Sequence, residues 1–575
     1  MNIFLEYRKK ISSVLKILEK KKILKIPKNY KNFTIELPPE KQKADISCNV
    51  ALLLAKHNNI PSIDLAKIIK KHLLSFFKEF KAIEVAGPGF LNIIFYNSFW
   101  EKSLLKIVKL NSKYGSNKSK KKKYNIEFVS ANPTGPLHVG HCRGAILGDA
   151  LSNILSFNGN KVTKEYYVND YGGQIENFVK SVYYRIIEIK EKKLFPDDEN
   201  LYPGNYIVDI AKKIIKRNKI KNFNSIKKIY KPLSDDALKY SMELIKMNLN
   251  LLGVKHNNFV YESNLIKNKT VSKAVNDLKK KKYIYKGKLK KPKGDISKDW
   301  KIREQLLFKS TLFGDDTDRA LTKSDGNWTY FAGDLAYHYN KIFRKFDLLI
   351  NILGADHTGY IKRIVSATNA MSNNKINLLC KVSQLVKLFK NGEPFKMSKR
   401  KGDYITAEDL IKEVGRDSVR FMMLSRSSEV EFEFDFKQVT EKSRDNPVFY
   451  VQYAYARINS IFRKLNLNLN KKIKATKQSS DFNNHEIEII KKISEWPKCI
   501  DLSASKLEPH RITFYLHELV TLFHSYWNMG KDNKEFRFIY EENNYNSTRL
   551  ILLQSLGIVI RNGMSILGVS VPTRM

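Results

Sequence analysis

The chain has 575 residues, of which 42% are hydrophobic, enough for three or four domains that each bury a core. Its 103 Lys and Arg residues against 58 Asp and Glu give a net charge of +45. This excess predicts a polyanionic partner, although a genome biased toward Lys, Ile and Asn is an alternative source of part of it. No run of eighteen apolar residues occurs, so no transmembrane helix is expected, and the amphipathic amino terminus does not resemble a signal peptide.

The four cysteines are scattered and none has CxxC spacing, so the sequence predicts neither a zinc site nor a disulfide framework. This cysteine usage fits a reducing cytoplasm, where we expect the protein to reside. The residues concerned are Cys48, Cys142, Cys380 and Cys499.

Taken in chain order, the patterns predict a multidomain α/β protein. Residues 1–112 are predicted to form an α+β domain, because helical periodicity over 2–22 and 63–80 alternates with strand-like stretches. The Lys-rich segment 113–123 predicts a basic linker. A doubly wound, Rossmann-type domain is predicted over 124–435, with a mainly helical insertion at about 180–300, and an all-α bundle over 436–575.

The most informative segment is YNIEFVSANPTGPLHVGHCRGAILGDAL, residues 124–151. It predicts a strand, a Pro/Gly turn and a helix whose amino-terminal N–H groups face the carboxyl edge of a sheet, a favourable place for phosphate. Gly140 allows a ligand to approach the backbone, and His138 and His141 lie one turn apart, where imidazoles can donate hydrogen bonds to phosphate oxygens. The alternative is two surface histidines in a helix cap.

A second motif, FKMSKRKGDYIT, occupies residues 395–406. Its lysines are compact cations suited to a pentacovalent α-phosphate, and glycines flank the loop that carries them. The alternative, a solvated lysine run, is disfavoured because Met-Ser splits the run. The candidate residues are Lys396, Met397, Ser398 and Lys399; the role of Arg400 stays open.

Together the two motifs resemble those of class I aminoacyl-tRNA synthetases, and their flanks resemble the arginyl branch over nearly the whole chain. The resemblance implies an arginine–tRNA ligase: ATP, with Mg²⁺ on its phosphates, reacts with arginine to give arginyl-adenylate and pyrophosphate, and arginine then passes to the 3′-terminal adenosine of tRNA(Arg), releasing AMP. It also implies that tRNA binds before arginine is activated, and that the protein is a monomer without zinc or a membrane contact.

An arginine pocket needs carboxylates for the guanidinium fork and an aromatic wall beside its plane. The resemblance assigns Glu127 and Asp334 to the guanidinium, with Tyr330 beside it, four residues before Asp334 on one helical face. It assigns Ser130 and Asn132 to the α-amino or carboxylate group, and the stretch YYVNDYGGQ adds Asn169, Asp170 and Gln174. The stretch LGADHTGY places Gly354, Asp356 and His357 at the adenosine.

The outer domains resemble tRNA-binding modules. In GPGFLN, the resemblance assigns Phe90 to stacking on a flipped base and Asn92 to its edge, with a core position as the equal alternative for Phe90. The helical domain resembles an anticodon-binding bundle, in which Tyr450, Tyr453 and Tyr455 are core or stacking residues, the core being favoured for at least two. We expect Tyr453 and the terminal Met575 to contact tRNA.

Three alternative functions remain. Another class I synthetase shares both ATP motifs but is expected to carry a zinc-type cysteine set or to lack the acidic pair. A small-molecule nucleotidyltransferase would lack two flanking RNA-binding domains. A non-catalytic tRNA-binding relative would normally have lost one of the two motifs, and both are intact here.

Overall fold

The computed structural model describes residues 2–28, 30–39, 42–117, 121–289, 304–323, 325–395, 405–471, 473, 482–541 and 544–575. The amino-terminal elements are α1 (Ile3–Lys20), β1 (Ile35–Glu36), β2 (Ile46–Cys48), α2 (Val50–Asn58), α3 (Ser62–Phe76), β3 (Phe80–Ala86), β4 (Phe90–Phe95) and α4 (Asn97–Leu110). The strands form one antiparallel sheet in the order β1-β2-β4-β3. An aromatic core joins this sheet to the helices, because the buried Tyr7 ring of α1 contacts Phe80 and Phe95.

The central elements begin with β5 (Lys123–Glu127), α5 (Val139–Phe157), β6 (Lys161–Val168), α6 (Gly173–Glu191), α7 (Asn205–Arg217), α8 (Ile226–Leu251), β7 (Asn258–Tyr261), α9 (Glu262–Lys267), α10 (Thr270–Lys280), β8 (Ile284–Lys288), β9 (Glu304–Phe308) and β10 (Arg319–Ala320). They continue with α11 (Tyr330–Phe343), β11 (Leu348–Gly354), α12 (Ile361–Ser372), β12 (Asn377–Ser383), β13 (Val386–Lys390), β14 (Glu393–Pro394), α13 (Ala407–Val414), α14 (Arg416–Met423), β15 (Phe432–Asp435) and α15 (Phe436–Thr440).

Five of these strands form a parallel sheet in the order β12-β11-β5-β6-β7. The chain starts in the middle at β5, winds outward through β6 and β7, and then returns to β11 on the other side of β5. This is a doubly wound sheet, and the reversal of strand order lies between β5 and β11. Ligands of such sheets bind at the carboxyl ends of the strands next to this reversal.

The predicted insertion at about 180–300 differs from the structure at its carboxyl side. Helices α6, α7 and α8 do form a separate apolar cluster. Strand β7, however, lies inside the predicted insertion and is the edge strand of the parallel sheet. Its sequence, NFVY, contains only three consecutive apolar residues and no alternating pattern, so the strand signal there is short.

The predicted linker at 113–123 also differs, because its first residues are packed rather than solvated. Tyr114 is 1% exposed and its hydroxyl donates to Ile493 O at 3.1 Å. The Trp496 indole N–H donates to Tyr114 O at 3.0 Å, and a Cβ at Gly115 would overlap the same indole. The segment thus fastens the central domain to the carboxyl-terminal helices.

The carboxyl-terminal elements are α16 (Pro447–Lys464), α17 (Asn484–Lys506), α18 (His510–Asp532), β16 (Ile539–Glu541), β17 (Asn544–Tyr545) and α19 (Ser547–Leu567). Helix α19 is long and apolar enough to cross a membrane by length and composition alone. It is nevertheless the core helix of this bundle, since 89% of its most apolar window is buried inside the protein.

A buried arginine joins four parts of the molecule. Arg420 of α14 is fully buried and donates to Asp149 of α5 at 2.6 Å. It also donates to Leu252 O after α8 and to Leu567 O at the end of α19, both at 2.8 Å. Lys164 of β6 completes the cluster by donating to the other Asp149 oxygen at 2.6 Å. The cluster therefore positions α5 relative to the bundle and to the insertion.

Replacing Gly568 by Ala tests this junction. Gly568 has φ +70°, and a Cβ there would overlap the Arg420 guanidinium, so the side chain must be displaced from Asp149. We expect a loss of about 4 kcal/mol, from left-handed backbone strain plus a broken buried ion pair, measured by urea unfolding. Gly253→Ala is the matched control, since its φ is +73° but its Cβ meets Arg420 and Arg416 only at ordinary contact distance. Equal losses for both variants would contradict the role of Arg420.

Candidate active site

A cavity of about 1420 Å³ opens at the carboxyl ends of β5 and β11. The backbone leaves β5 in an unusual way, because Val129 and Ser130 both lie in the left-handed region, at φ +71° and +43°. Residues of five strands and three helices line this space. Its lining includes Glu127, Ser130, Tyr167, Asn169, Glu262, Tyr330, Asp334, Tyr337, Gly354, His357, Tyr360 and Arg363.

Glu127 ends β5 and is 7% exposed. Its Oε2 accepts a hydrogen bond from Lys341 Nζ at 2.6 Å, and its Oε1 accepts one from the Ser130 hydroxyl at 3.1 Å. The Ser130 oxygen in turn accepts from Tyr167 N at 3.1 Å. Glu127 and Ser130 therefore hold each other and the neighbouring strands, and Glu127 already has a cationic partner.

A second buried ion pair lies beneath the first. Glu165 of β6 is fully buried and accepts hydrogen bonds from both terminal nitrogens of Arg344 and from the Tyr337 hydroxyl. Burial alone would raise its pKa, but the bonds from Arg344 and the charge of Lys341 hold the pKa of Glu165 at about 2. The carboxylate stays ionised and fixes the inner face of α11 on the sheet.

Two other carboxyls, Asp334 and Glu262, face the cavity and have raised pKa values. Burial, together with the charge of Glu127, raises the pKa of Asp334 to about 7, although a hydrogen bond from Tyr360 opposes the rise. Burial also raises the pKa of Glu262 to about 7, with the charges of Asp334 and Asp170 adding to it. Two neighbouring half-buried carboxyls that titrate near neutrality form a site in which a cation can displace protons.

Glu262 was not among the residues singled out in the sequence. It is the first residue of α9, directly after β7, so it lies at the carboxyl edge of the sheet. The Asn169 side-chain amide faces Glu262 Oε2 at 2.6 Å and Tyr171 O at 3.1 Å, which orients the amide nitrogen toward both. The only sequence signal was a carboxylate at a strand-to-helix junction, and β7 carries no strand pattern that would reveal the junction.

The remaining residues assigned to arginine lie around this pair. Tyr330 starts α11 at the mouth of the cavity and is 69% exposed, four residues before Asp334 on the same helix. Asn132 and Gln174 lie outside the cavity lining and bond each other, the Asn132 amide donating to Gln174 Oε1 at 2.6 Å. Asp170 accepts from both the backbone and the hydroxyl of Ser263, so it caps α9.

The two histidines of the first motif form the amino-terminal cap of α5. His138 Nδ1 accepts from Gly140 N at 3.1 Å, and His141 Nδ1 accepts from His138 N at 3.3 Å, which puts the proton of each neutral ring on Nε2. The ring centroids are 3.8 Å apart. Burial, and then the neighbouring His138, lowers the pKa of His141 to about 4, while burial also lowers the pKa of His138. Both rings are therefore neutral at pH 7, so they do not repel each other and each can donate a hydrogen bond from Nε2.

The second motif borders the first. Lys396, Met397, Ser398 and Lys399 lie outside the described residues, as does Arg400. The residues that follow them pair directly with the first motif, because Val139 N donates to Ile405 O at 3.0 Å and Ala407 N donates to Leu137 O at 2.8 Å. The carboxyl-terminal end of the second motif, at Ile405 and Thr406, therefore lies beside His138.

The adenosine candidates sit at the end of β11. Gly354 is its last residue, and Asp356 and His357 follow in a 3-10 turn, with the His357 ring 3.4 Å from the Asp356 carboxylate. Gly354 and His357 line the cavity, and the charge of Asp356 acts on the pKa of His141. The predicted adenosine edge and the predicted phosphate site are therefore neighbours.

The candidate RNA contacts have unequal exposure. Phe90 is 37% exposed, whereas Asn92 is 2% exposed and donates to Gln42 Oε1 at 2.5 Å. Tyr453 is half-buried with the Arg457 guanidinium 4.2 Å from its ring centroid, and Tyr455 is a core residue at 5% exposure. Met575 is 56% exposed at the end of the chain.

The described residues show neither a disulfide bond nor a cluster of metal ligands. All four cysteines are free, and burial raises the pKa of each thiol to about 12. The residues described contain no group of three or more His, Cys, Asp or Glu side chains arranged to hold a metal ion.

Three family models match consecutive parts of the chain. They are the arginyl tRNA synthetase N terminal domain over residues 6–95, the catalytic domain of class I (R) tRNA synthetases over 103–460, and the DALR anticodon binding domain over 451–575.

Curated relatives match over the full length. The chain is 53% identical to the arginine–tRNA ligase of Pelagibacter ubique and 41% identical to that of Allorhizobium ampelinum, with 100% of both chains covered in each case. The solved structure of Thermus thermophilus arginyl-tRNA synthetase superposes with a TM-score of 0.70 at 17% identity, covering 99% of this chain and all of the other. At this identity the superposition supports the fold alone.

The protonation of Glu262 and Asp334 predicts a pH-dependent affinity for a guanidinium ligand such as arginine. Each carboxyl must be ionised to bind the cation, and each has a pKa of about 7 in the ligand-free pocket. Affinity is therefore expected to reach its full value about one unit above pH 7 and to fall, below pH 7, about tenfold per pH unit for each proton displaced. Titration calorimetry at pH 6–8, in buffers of different ionisation enthalpy, measures both affinity and proton release.

Glu262→Gln leaves one titrating carboxyl, so its pH dependence should be shallower and its arginine affinity about 10²-fold lower at pH 8. ATP affinity of the same variant is the control. An affinity for arginine that does not change between pH 6 and 8 would refute the prediction.

Proposed function

The chain belongs to the arginine–tRNA ligase family, and we propose how its own residues divide the work of that reaction. The protein activates arginine with ATP and charges tRNA(Arg). The observation that carries the residue assignment is the pair of neighbouring carboxyls, Glu262 and Asp334, at the switch point of the parallel sheet.

The guanidinium of arginine binds between Asp334 and Glu262. Two carboxylates can accept its fork of N–H donors, and the Tyr330 ring at the cavity mouth provides a face for its plane. Glu127 acts on the site from beneath, through its ion pair with Lys341. The α-amino and carboxylate groups are held by residues on the rim: Ser130, Asn132, Asn169 and Gln174.

This pocket discriminates against lysine without a separate hydrolytic domain. An ammonium group is a point charge, so it cannot satisfy both carboxyls in the geometry of a planar fork. The oxygens left without a partner would be desolvated, and unpaired buried polar groups are costly enough to exclude an analogue.

ATP binds across the amino terminus of α5. The neutral imidazoles of His138 and His141 donate from Nε2 to phosphate oxygens, and Gly140 leaves room for the nucleotide. Mg²⁺ enters with ATP on its phosphates as part of the substrate. The remaining ATP contacts come from β11 and the second motif: Gly354, Asp356, His357, Lys396, Met397, Ser398 and Lys399.

In the first step, a carboxylate oxygen of arginine attacks the α-phosphorus in line, and the bond to the bridging oxygen breaks as pyrophosphate leaves. His138, His141, Lys396 and Lys399 stabilise the charge that develops on the phosphoryl oxygens. In the second step, the 2′-hydroxyl of the terminal adenosine attacks the activated carbonyl and AMP leaves. Catalysis consists of positioning and charge stabilisation, without a covalent enzyme intermediate.

The two outer domains bind tRNA(Arg), supported by the excess of basic residues. We assign residues 1–112 and 436–575 to these domains and 124–435 to the catalytic domain. Phe90 stacks on a base and Tyr453, backed by Arg457, offers a second stacking face. Asn92 reaches a base edge only if Gln42 releases it, and Met575 contacts the anticodon loop. The protein acts as a cytoplasmic monomer.

Charging of purified tRNA with each labelled amino acid, together with arginine-dependent ATP–pyrophosphate exchange, tests the function. We expect charging with arginine alone, and exchange that appears only when tRNA is present. Charging with another amino acid would mean that the roles of Glu262 and Asp334 are wrong. Absence of charging with any amino acid would favour a tRNA-binding protein without catalysis.

Substitution of Lys399 by Ala separates catalysis from binding. Because the ammonium stabilises charge that develops on the α-phosphate, we expect kcat to fall by about 10²-fold or more while arginine affinity changes little. Lys401→Ala, which removes a charge from the same motif at a residue not assigned to ATP, is the matched control and should retain most of the turnover. Weakened binding with normal turnover would exclude the catalytic role of Lys399.

A further inference from the structure

Lys341 is a fully buried lysine directly beneath the arginine pocket. Its Nζ donates to Glu127 Oε2 at 2.6 Å and to Asn351 Oδ1 at 2.9 Å, and lies 4.3 Å from the centroid of the Tyr337 ring. Desolvation strongly disfavours a buried ammonium unless a carboxylate and further hydrogen-bond acceptors surround it, as they do here. Nothing in the proposed chemistry uses this cation directly, although it lies on the helix that carries Asp334.

The hydrogen bonds continue from Lys341 to Asp334. Asn351 of β11 donates its amide to His338 Nε2 at 3.0 Å, and His338 Nδ1 donates to the carbonyl oxygen of Asp334 at 2.8 Å. The donor and acceptor of each hydrogen bond in this path are determined, because an ammonium can only donate and the Asn351 oxygen must therefore accept from it. Burial lowers the pKa of His338 to about 4, so the ring is neutral and fits between one donor and one acceptor. The path ties β5, β11 and the first turns of α11 together.

We propose that Lys341 is a positioning residue for arginine recognition: it occupies Glu127 and, through Asn351 and His338, holds the turn of α11 that presents Asp334. The guanidinium of the substrate is then left to Asp334 and Glu262. This inference rests on the proposed arginine pocket and adds a resident cation to it. Without Lys341, the pocket would contain an additional, uncompensated carboxylate at Glu127.

The charges of Lys341 and Glu127 act on Asp334 with opposite signs. The Glu127 carboxylate raises the pKa of Asp334 and the Lys341 ammonium lowers it, so each partner of the ion pair counteracts the effect of the other. The other ionisable groups that line this pocket come from every element around it. They are Tyr167 from β6, Glu262 from α9, Tyr285 and Lys288 from β8, Asp316 and Asp318 before β10, Arg319 in β10, Tyr330, Tyr337 and His338 from α11, His357 and Tyr360 from the 3-10 turn, and Arg363 from α12.

Three variants test the proposal through the pH dependence of kcat/KM for arginine, measured by tRNA charging at pH 5.5–8. We call the fall of kcat/KM toward low pH its acid limb. Lys341→Met removes the cation, so the limb should move to higher pH by about 0.5 unit or more, and KM for arginine should rise at least tenfold with a smaller change in kcat. Glu127→Gln should move the limb to lower pH. The double variant removes both charges, so its limb should return toward that of the unmodified protein.

Lys341→Arg is the conservative control, since it keeps the charge next to Glu127 and should keep the limb near its original pH. Thermal unfolding and tRNA affinity of every variant report on folding independently. If Lys341→Met does not fold, the proposal is judged by the other two variants. The acid limb of Glu127→Gln should then lie at lower pH, and that of Lys341→Arg should lie near its original pH. Acid limbs that coincide in all folded variants would overturn the proposal, even where stability is lost.

This design separates the inference from the proposed function. If the unmodified protein does not charge tRNA with arginine, the proposed pocket is wrong. If it charges arginine and the limbs do not move, only the positioning role of Lys341 is wrong.

Discussion

The buried ion pair between Glu127 and Lys341 is the interaction on which the geometry of the pocket depends. A site that binds a cation needs carboxylates in a partly desolvated cavity, and carboxylates placed together there repel each other. The protein meets this constraint by two means. Glu127 is paired with Lys341, and Glu165 stays ionised because Arg344 compensates it inside the fold. Glu262 and Asp334, which face the cavity, have no such internal cation bonded to them among the described residues and accept protons near pH 7 instead. The compensated pair holds α11 on the sheet, and we propose that the uncompensated pair binds the substrate.

Helix α5 connects the chemistry to the rest of the molecule. Its first turn carries His138 and His141, and the backbone at its start pairs with Ile405 and Ala407, at and just after the end of the second motif. Near its middle, Asp149 binds Arg420, whose other hydrogen bonds reach the ends of α8 and α19. One helix therefore carries both the turn with the two histidines and the contacts to the bundle and the insertion. The packing of Tyr114 against Trp496 is a second attachment between the central domain and the carboxyl-terminal bundle.

Much of the site could be predicted from the sequence because its signals are local. The two ATP motifs are short segments with distinctive residues at fixed spacing, and a strand, a turn and a helix follow from their Pro, Gly and apolar pattern. The four-residue spacing of Tyr330 and Asp334 correctly predicted one helix, α11. Strand β7 was missed because its apolar run, Phe259 to Tyr261, is only three residues long and does not alternate. Glu262 was missed for the same reason, since its position at the sheet edge exists only if β7 does.

The sequence by itself thus determined the order of the domains, the family, the ATP motifs and one wall of the amino-acid pocket, all of which are encoded within short, local segments. Only the tertiary structure decided which carboxylates have an internal partner. Glu127 and Lys341 are 214 positions apart, and Arg344 and Glu165 are 179 apart. Pairing over such distances depends on the register of parallel strands and on how α11 packs across them, and no local pattern of residues records that packing. The charge state of the pocket is for this reason a property of the fold rather than of any motif.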